Sequence, residues 1–534
     1  MESEGDESRS LLDPVGIGST GRPDVRNVHA RADPRQLGAA GGGQRDGGRM
    51  FARRPSSLHG SPLRMVTPHV RASAPLPTVL VLTFVAPAGD ERVYLAEGVS
   101  DELVMALAQV PAVHVIARGT AVSLRDAGLA PLQAAEQLHA TAVVTGTVTA
   151  HDGTLGVSAD IRALREPERA IREEVQGPME DFTRLVAGVA RSVLAVCGAE
   201  PSEAWGARVS RRISNEPEAL DLVLRGRYHT EQRPIGVKLA MQCFDRAIRV
   251  DGGVAEAFGA LAILWANFGI FLALTPHQAA ERAREQAQRA LTADPHDPWA
   301  QTALLTIATF YDWDLARADT LGRDLLARYP SLVPPRQVLL YAHAARGDEP
   351  SVRALGREVQ RLDPRAVDPV NDYAFALLLC GAAPDAVALL QAHVALHPAA
   401  SEVHRRLGLA LLEAGDAAGA VEHLQRSVAL SRRHAWGVAH LACAHARAGA
   451  PDQARLLLAE LVDRAEGELV PAVALAEIHA SLGERDAAFA ALARALEARD
   501  YWLLTLDVDP LLAPLRGDSR FAALRAMRHP RLGS

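Results

Sequence analysis

Residues 407–424 read LGLALLEAGDAAGAVEHL. Two apolar runs with helical spacing flank the pair Gly415-Asp416. The stretch is either one helix interrupted by glycine or two helices joined by a turn. Shifting the sequence by 34 residues decides between them. Gly381, Gly415, Gly449 and Gly483 fall in register, and so do Ala386, Ala420, Ala454 and Ala488. Leu390, Leu424, Leu458 and Leu492 form a third column, and Tyr373, Leu407, Leu441 and Leu475 a fourth. Glycine ends the first helix because the chain turns there and only glycine takes φ > 0 freely. The alanine column lets two antiparallel helices approach, and the bulky columns fill the space between neighbours.

A 34-residue period with a small residue opposite a bulky one is the signature of tetratricopeptide repeats. One such repeat cannot bury its apolar faces alone, so stacking is required. Upstream the pattern continues with irregularities. Ala240, Phe244 and Ala247 suit a second helix, and Phe258 and Ala262 the next first helix. Pro295, Pro364 and Pro398 close helices. FYDWDLARA (310–318) begins another pair, and about eight units are expected between residues 214 and 500.

The totals agree with a repeat array. A chain of 534 residues exceeds one ordinary core. Its composition is 48% hydrophobic but 4% aromatic, dominated by alanine and leucine. The net charge of −7 offers no global basic field for nucleic acid, so no direct nucleic-acid binding is expected. Cys197, Cys243, Cys380 and Cys443 form no C-x-x-C pair, which argues against a disulfide scaffold or zinc site and for a reducing cytoplasm. No secretory signal is visible in MESEGDESRS, and the apolar run Val79–Val85 is far below the about 20 residues of a membrane span.

Residues 1–75 read as a disordered tail rich in Gly, Pro, Ser and Arg. Met50 and Met65 are alternative starts within it. Gly16–Gly21 matches G-x-G-x-x-G, but its flanks LLDPV and RPDV supply neither the strand nor the helix of a dinucleotide site. From Pro75 the pattern changes. VLVLTF (79–84) and VHVIAR (113–118) read as strands. SDELVMALAQV (100–110) reads as a helix with Ser100 as N-cap, and LQAAEQLHA (132–140) as another. TAVVTGTVTA (141–150) and TLGVSADIRAL (154–164) form a hairpin over HDG, with AIREEVQG (170–177) as a further strand. MEDFTRLVAGVARSVLAVC (179–197) closes the unit as a helix. The order β-α-β-α-β-β-β-α implies an α/β domain with a mixed sheet over residues 76–200.

The segments 79–84, YLAEGVSDEL (94–103), 113–118 and AVVTGTV (142–148) resemble the TolB-like (FlgO-like) amino-terminal domain of bacterial regulatory proteins. The resemblance spans residues 77–198. It implies an α/β domain placed between a signalling head (winged helix, cyclase or kinase) and tetratricopeptide repeats. Residues 1–75 carry no such head. SNEPEALDLVLRGRYH (214–229) looks like the usual lead-in to the repeats, and DPLLAPLRGDSRFAAL (509–524) like a terminal cap within 501–534.

A stacked array presents a concave groove that commonly takes a peptide or partner helix. First-helix residues outside the packing columns are its candidates: Asn371, Glu402, Arg405, Trp436, Arg447 and Glu477. Trp436 stands out, since an exposed aromatic is a typical anchor. A lysine-rich carboxylate clamp is impossible with Lys238 alone. His445 and His479 share a column, but neighbouring repeats stand about 10 Å apart, too far for one metal. Cys380 and Cys443 read as core, and Asp312-Trp313-Asp314 as a turn rather than a glycosidase acid pair. No metalloprotease, Walker, nucleophile-elbow or kinase motif is present, and neither a cofactor nor enzymatic turnover is expected. An enzyme built on the α/β domain would have to use Asp90, Glu97, Asp101, Glu102 and Arg118. The expectation is a cytoplasmic scaffold binding a protein or peptide partner. The alternative is a signalling or transcriptional regulator whose DNA-binding, kinase or cyclase output is missing or on a separate chain.

Overall fold

A computed structural model describes residues 76–87, 92–166, 169–232, 235–268 and 274–528. The readings on residues 1–75, including Gly16–Gly21, Met50 and Met65, lie outside these residues, as does Asp90. The α/β part begins with strand β1 (Thr78–Val81), helix α1 (Val93–Leu107) and strand β2 (His114–Val115). Helices α2 (Arg118–Asp126) and α3 (Pro131–Gln137) follow. Strands β3 (Ala142–His151), β4 (Thr154–Ala163) and β5 (Ile171–Pro178) lead into α4 (Phe182–Val196) and the short α5 (Glu203–Val209). The sheet order is β2-β1-β3-β4-β5. β1 runs parallel to β2 and β3, and the β3-β4-β5 meander is antiparallel.

Alternation sorts the side chains. Val79, Val81, Val144 and Val148 face α1 and α4, whereas Leu80 and Val143 pack with Ala121, Leu124, Ala134 and Ala135 of α2 and α3. Asp152 and Gly153 both have positive φ (+46° and +74°), the two-residue turn that matches strand twist.

Two details differ from the sequence reading. Helix α1 starts at Val93, not beside Ser100. Ser100 is an interior residue whose hydroxyl donates to the Ala96 carbonyl (2.8 Å) and accepts the Phe84 N–H (2.9 Å). Its polarity is absorbed by tertiary contacts, so it does not cap. Helix α2 was not anticipated, and β2 is correspondingly short: the predicted strand 113–118 turns into α2 at Arg118.

Sixteen helices then form eight antiparallel pairs among the described residues. They are Pro217–Glu231 (α6) with Val237–Val250 (α7), Ala255–Phe268 (α8) with Pro276–Ala293 (α9), and Pro298–Thr306 (α10) with Leu315–Arg328 (α11). Next come Pro334–Ala344 (α12) with Glu349–Leu362 (α13), Val367–Leu379 (α14) with Ala383–Leu396 (α15), and Ser401–Glu413 (α16) with Ala417–Leu430 (α17). Ala435–Arg447 (α18) with Pro451–Arg464 (α19) and Ala472–Ser481 (α20) with Arg485–Glu497 (α21) complete the array. The molecule is thus an α/β domain followed by an all-α tetratricopeptide-like superhelix. Two 3₁₀ turns, Tyr501–Thr505 and Pro510–Leu515, and helix α22 (Ser519–Arg528) end the described chain.

The four column glycines have φ of +81°, +90°, +80° and +77° in chain order, and the four column alanines are fully buried. The register reaches further upstream than the sequence reading placed it. Gly347 (φ +69°) stands one repeat before Gly381, and Trp313 (φ +54°) one repeat before Gly347. In the same two upstream repeats glycine replaces the second-helix leucine. A Cβ on Gly356 would overlap the Tyr373 ring, and one on Gly322 would meet Leu339 at 2.7 Å. The facing side chain fills the space, so small and large have exchanged sides.

The array also folds back on the α/β domain. Ala117 N–H donates to the Leu362 carbonyl (2.7 Å), Thr120 N–H to the Asp363 carboxylate (2.7 Å), and Val115 N–H to the Ser331 hydroxyl (3.3 Å). The free edge of β2 is therefore closed by the loops before α12 and α14.

Candidate partner-binding groove

The concave face follows the repeat register. Tyr341, Phe375, Leu409, Cys443 and Glu477 occupy one 34-residue column on α12, α14, α16, α18 and α20. Phe375, Leu409 and Glu477 line one groove together with Arg405, Arg406, Trp436 and His440. The sequence reading found three of these seven, Arg405, Trp436 and Glu477, and missed Phe375, Leu409, Arg406 and His440. The signal was available, because His440 lies one repeat after Arg406 and the Tyr341 column holds the same register.

The groove is filled by the chain itself. Residues 500–515 cross the concave face as a strap. The Trp502 ring packs edge-on against Trp436 (centroids 5.6 Å), Phe375 (6.0 Å) and Tyr341 (6.0 Å). Tyr501 reaches back to Phe310 and Tyr311, each at 6.5 Å. Asp500 and Asp509 start the two 3₁₀ turns by accepting Trp502 N–H (3.1 Å) and Leu511 N–H (2.8 Å). The cavity left beneath the strap is about 20 Å³, room for about one water.

This placement corrects the expectation of an exposed Trp436. The ring is 9% exposed, because the strap covers it. Arg405 (5%) and Glu477 (3%) are buried with it. Arg405 Nε donates to Glu402 (3.1 Å) and its terminal nitrogen to His440 Nδ1 (3.3 Å). His440 Nε2 lies 3.4 Å from Glu477. Glu477 in turn hydrogen-bonds Asp509 of the strap. Four of the chosen residues thus belong to one neighbourhood, with Glu402 at its margin. Asn371 does not line it; the residue is buried in α14 and its Oδ1 has no donor. Arg447 is exposed and pairs with Glu413, a lining residue, and so sits at the rim.

The electrostatics are unusual for a surface groove. Burial raises the Glu477 carboxyl well above its ordinary range, and the adjacent Asp509 adds to this. Burial and the neighbouring arginines hold the His440 imidazole neutral. The two carboxyls therefore share a site by keeping a proton. Arg406 stacks 3.5 Å from the Phe375 ring centroid and 5.8 Å from that of Trp502.

The other candidates are structural. Arg118 pairs with Glu97 and Asp101, Arg125 with Glu97 (3.3 Å), and Arg227 with Glu102 (3.0 Å). Burial pushes the Asp101 carboxyl up to about 6, with Arg118 opposing. These residues make a cross-linked ion-pair cluster. Asp312 pairs with Arg284, and Asp314 caps α11 through Arg317 N–H (3.0 Å). His479 bonds Glu484 (2.8 Å), while His445 lines a separate cleft with residues of α17 and α19. Among the described residues no group of three metal-ligating side chains converges, and no helix is long and apolar enough to cross a membrane.

The family profile described as "Bacterial transcriptional activator domain" matches residues 338–435, from within α12 to the start of α18. A Rhizobium meliloti (strain 1021) protein named "Putative adenylate cyclase 3" is 23% identical over 190 residues. That match covers 35% of this chain and 32% of the relative, so the chain spans about a third of that protein's length. A chain of the "Crystal structure of APC/C hetero-tetramer Cut9-Hcn1" aligns over 65% of this chain and 83% of its own, with a TM-score of 0.31 and 14% identity.

Proposed function

We propose that this protein is a partner-binding scaffold of a bacterial regulatory system, and that the concave face of its repeats is the docking surface. The observation that carries the reading is the groove itself. A floor of Tyr341, Phe375 and Trp436 beside two buried arginines holds a short aromatic segment, and surfaces of that kind act as anchoring sites. The transcriptional-activator profile over α12–α18 supports the regulatory setting. The α/β domain is read as TolB-like, with a sensing or modulating role, and the protein as cytoplasmic and acting without turnover.

The test is affinity capture from bacterial lysate with the full chain as bait and a Trp436→Ala bait alongside. A stoichiometric protein partner held by the first and lost by the second, with both baits folded, is expected. A folded wild-type bait that recovers no stable partner at physiological salt refutes the reading. A second reading draws on the cyclase-named relative: the chain regulates a cyclase, kinase or DNA-binding output carried elsewhere. Capture of such an output protein through the α/β domain, unaffected by Trp436→Ala, would favour it.

A further inference from the structure

We propose that the groove lined by α14, α16, α18 and α20 recognises a segment carrying a bulky aromatic beside a free carboxylate, and that residues 500–509 are an intramolecular stand-in that such a partner displaces. This deepens the scaffold reading and rests on it.

Two observations carry it. The first is the occupant. Trp502 fills an aromatic subsite made by three different repeats, so a single side chain spans surfaces that no local contact brings together. The second is a charge left unmatched. Arg406 is 5% exposed, makes no ion pair among the described residues, and its Nε has no acceptor. Neighbouring Arg405, by contrast, has Glu402. Burial and Arg405 push the Arg406 guanidinium down to about 10, against the pull of Tyr341, Glu402 and Asp372.

The strap does not answer that charge. Asp500 is turned to the backbone of its own 3₁₀ turn, and Asp509 to Leu511 N–H and Glu477. The strap therefore fills the aromatic subsite and brings Arg406 no carboxylate within ion-pair distance; Glu402 and Asp372 act on it only from further away. A segment that presents a ring and an uncommitted carboxylate satisfies both, and a buried charge-assisted pair outweighs a cation–π contact alone. Autoinhibition follows from geometry, because strap and partner cannot share the Trp436–Phe375 subsite.

The probe is a fluorescein-labelled peptide of residues 499–510 carrying Leu503→Glu, with a Leu503→Gln peptide as control. Both are titrated by anisotropy onto the full chain and onto its Trp502→Ala variant. We expect the Glu peptide to bind Trp502→Ala at least about tenfold tighter than wild type, and tighter than the Gln peptide. Adding Arg406→Gln to the variant should erase the preference for Glu. Equal binding to wild type and Trp502→Ala overturns the proposal, as does a Glu preference that survives Arg406→Gln. Should Trp502→Ala fail to fold, hydrogen exchange of the unmodified chain replaces it. Saturating Glu peptide should then accelerate exchange at 500–509, and unchanged exchange refutes displacement. None of this needs a cellular partner. A lysate partner captured without any peptide effect would retain the scaffold and sink the strap, and a peptide effect without a lysate partner would do the reverse.

Discussion

At the scale of single residues, Glu477 is the position where the groove and the strap are most tightly joined. It meets Asp509 from the strap, His440 from α18 and Arg405 from α16, with Asp500 and Cys443 nearby. Asp509 also faces Glu413 and Arg516. Both carboxyls are raised in the folded chain, mainly by burial. Their stabilising contribution is complete below the ordinary carboxylate range and is lost as pH rises through the raised values. The strap should therefore loosen as pH rises from the ordinary carboxylate range through about 6, the value to which Asp509 is raised, and further as Glu477 loses its proton above that. Hydrogen exchange at residues 500–510 across that range should show rising exposure after correction for intrinsic rates. Glu477→Gln, which supplies a permanent proton, should flatten the profile, and parallel profiles in the two proteins would defeat the account.

Trp313 is a second case. It occupies the turn-glycine column at φ +54°, and non-glycine residues there cost about 1–2 kcal/mol. Its ring is nonetheless buried. Trp313→Gly relieves the backbone but removes a core aromatic, a loss of about 3–5 kcal/mol. A net destabilisation of roughly 2–3 kcal/mol should appear in urea unfolding.

At the scale of elements, the columns describe how neighbouring repeats share volume. Downstream pairs meet through leucine on leucine, as at Leu424 and Leu441. At Gly356 the leucine is missing and Tyr373 from the next repeat takes its place. Gly356→Leu alone should overpack and cost about 1–3 kcal/mol. Gly356→Leu with Tyr373→Leu recreates the downstream pairing and should recover most of that loss. A double-mutant cycle by chemical denaturation would read a coupling above about 1 kcal/mol, and additive losses would show that the two positions do not share space.

At the scale of the whole molecule, the chain closes on itself twice. The strap ties α10–α12 to the terminal repeats, and the loops at 331 and 362–366 seal the β2 edge. Repeat arrays are stabilised by nearest-neighbour contacts alone, so both closures add long-range cooperativity that a simple solenoid lacks. Gly119 lies against this second seam, where a Cβ would come within 2.6 Å of Ala366. Gly119→Val should separate the α/β domain from the array and split one melting transition into two. Calorimetry that still shows a single transition at an unchanged midpoint would refute the coupling.

The sequence by itself determined the repeat. A fixed 34-residue period places glycine, alanine and leucine at columns that stay legible without any tertiary contact, since each encodes a turn, a close approach or a filled gap. Strand alternation and the Asp152-Gly153 turn likewise follow from local geometry. The choice of Arg405, Trp436 and Glu477 came from the same register, but their surroundings did not. Trp502 bears no fixed spacing to Trp436 or Phe375, and the strap's 3₁₀ turns have no apolar period. Ser331 meets β2, and Asp363 the first turn of α2, across more than 200 residues of chain. Only the curvature of eight stacked pairs brings these groups together, so what covers the groove and what seals the sheet edge were decided by tertiary structure.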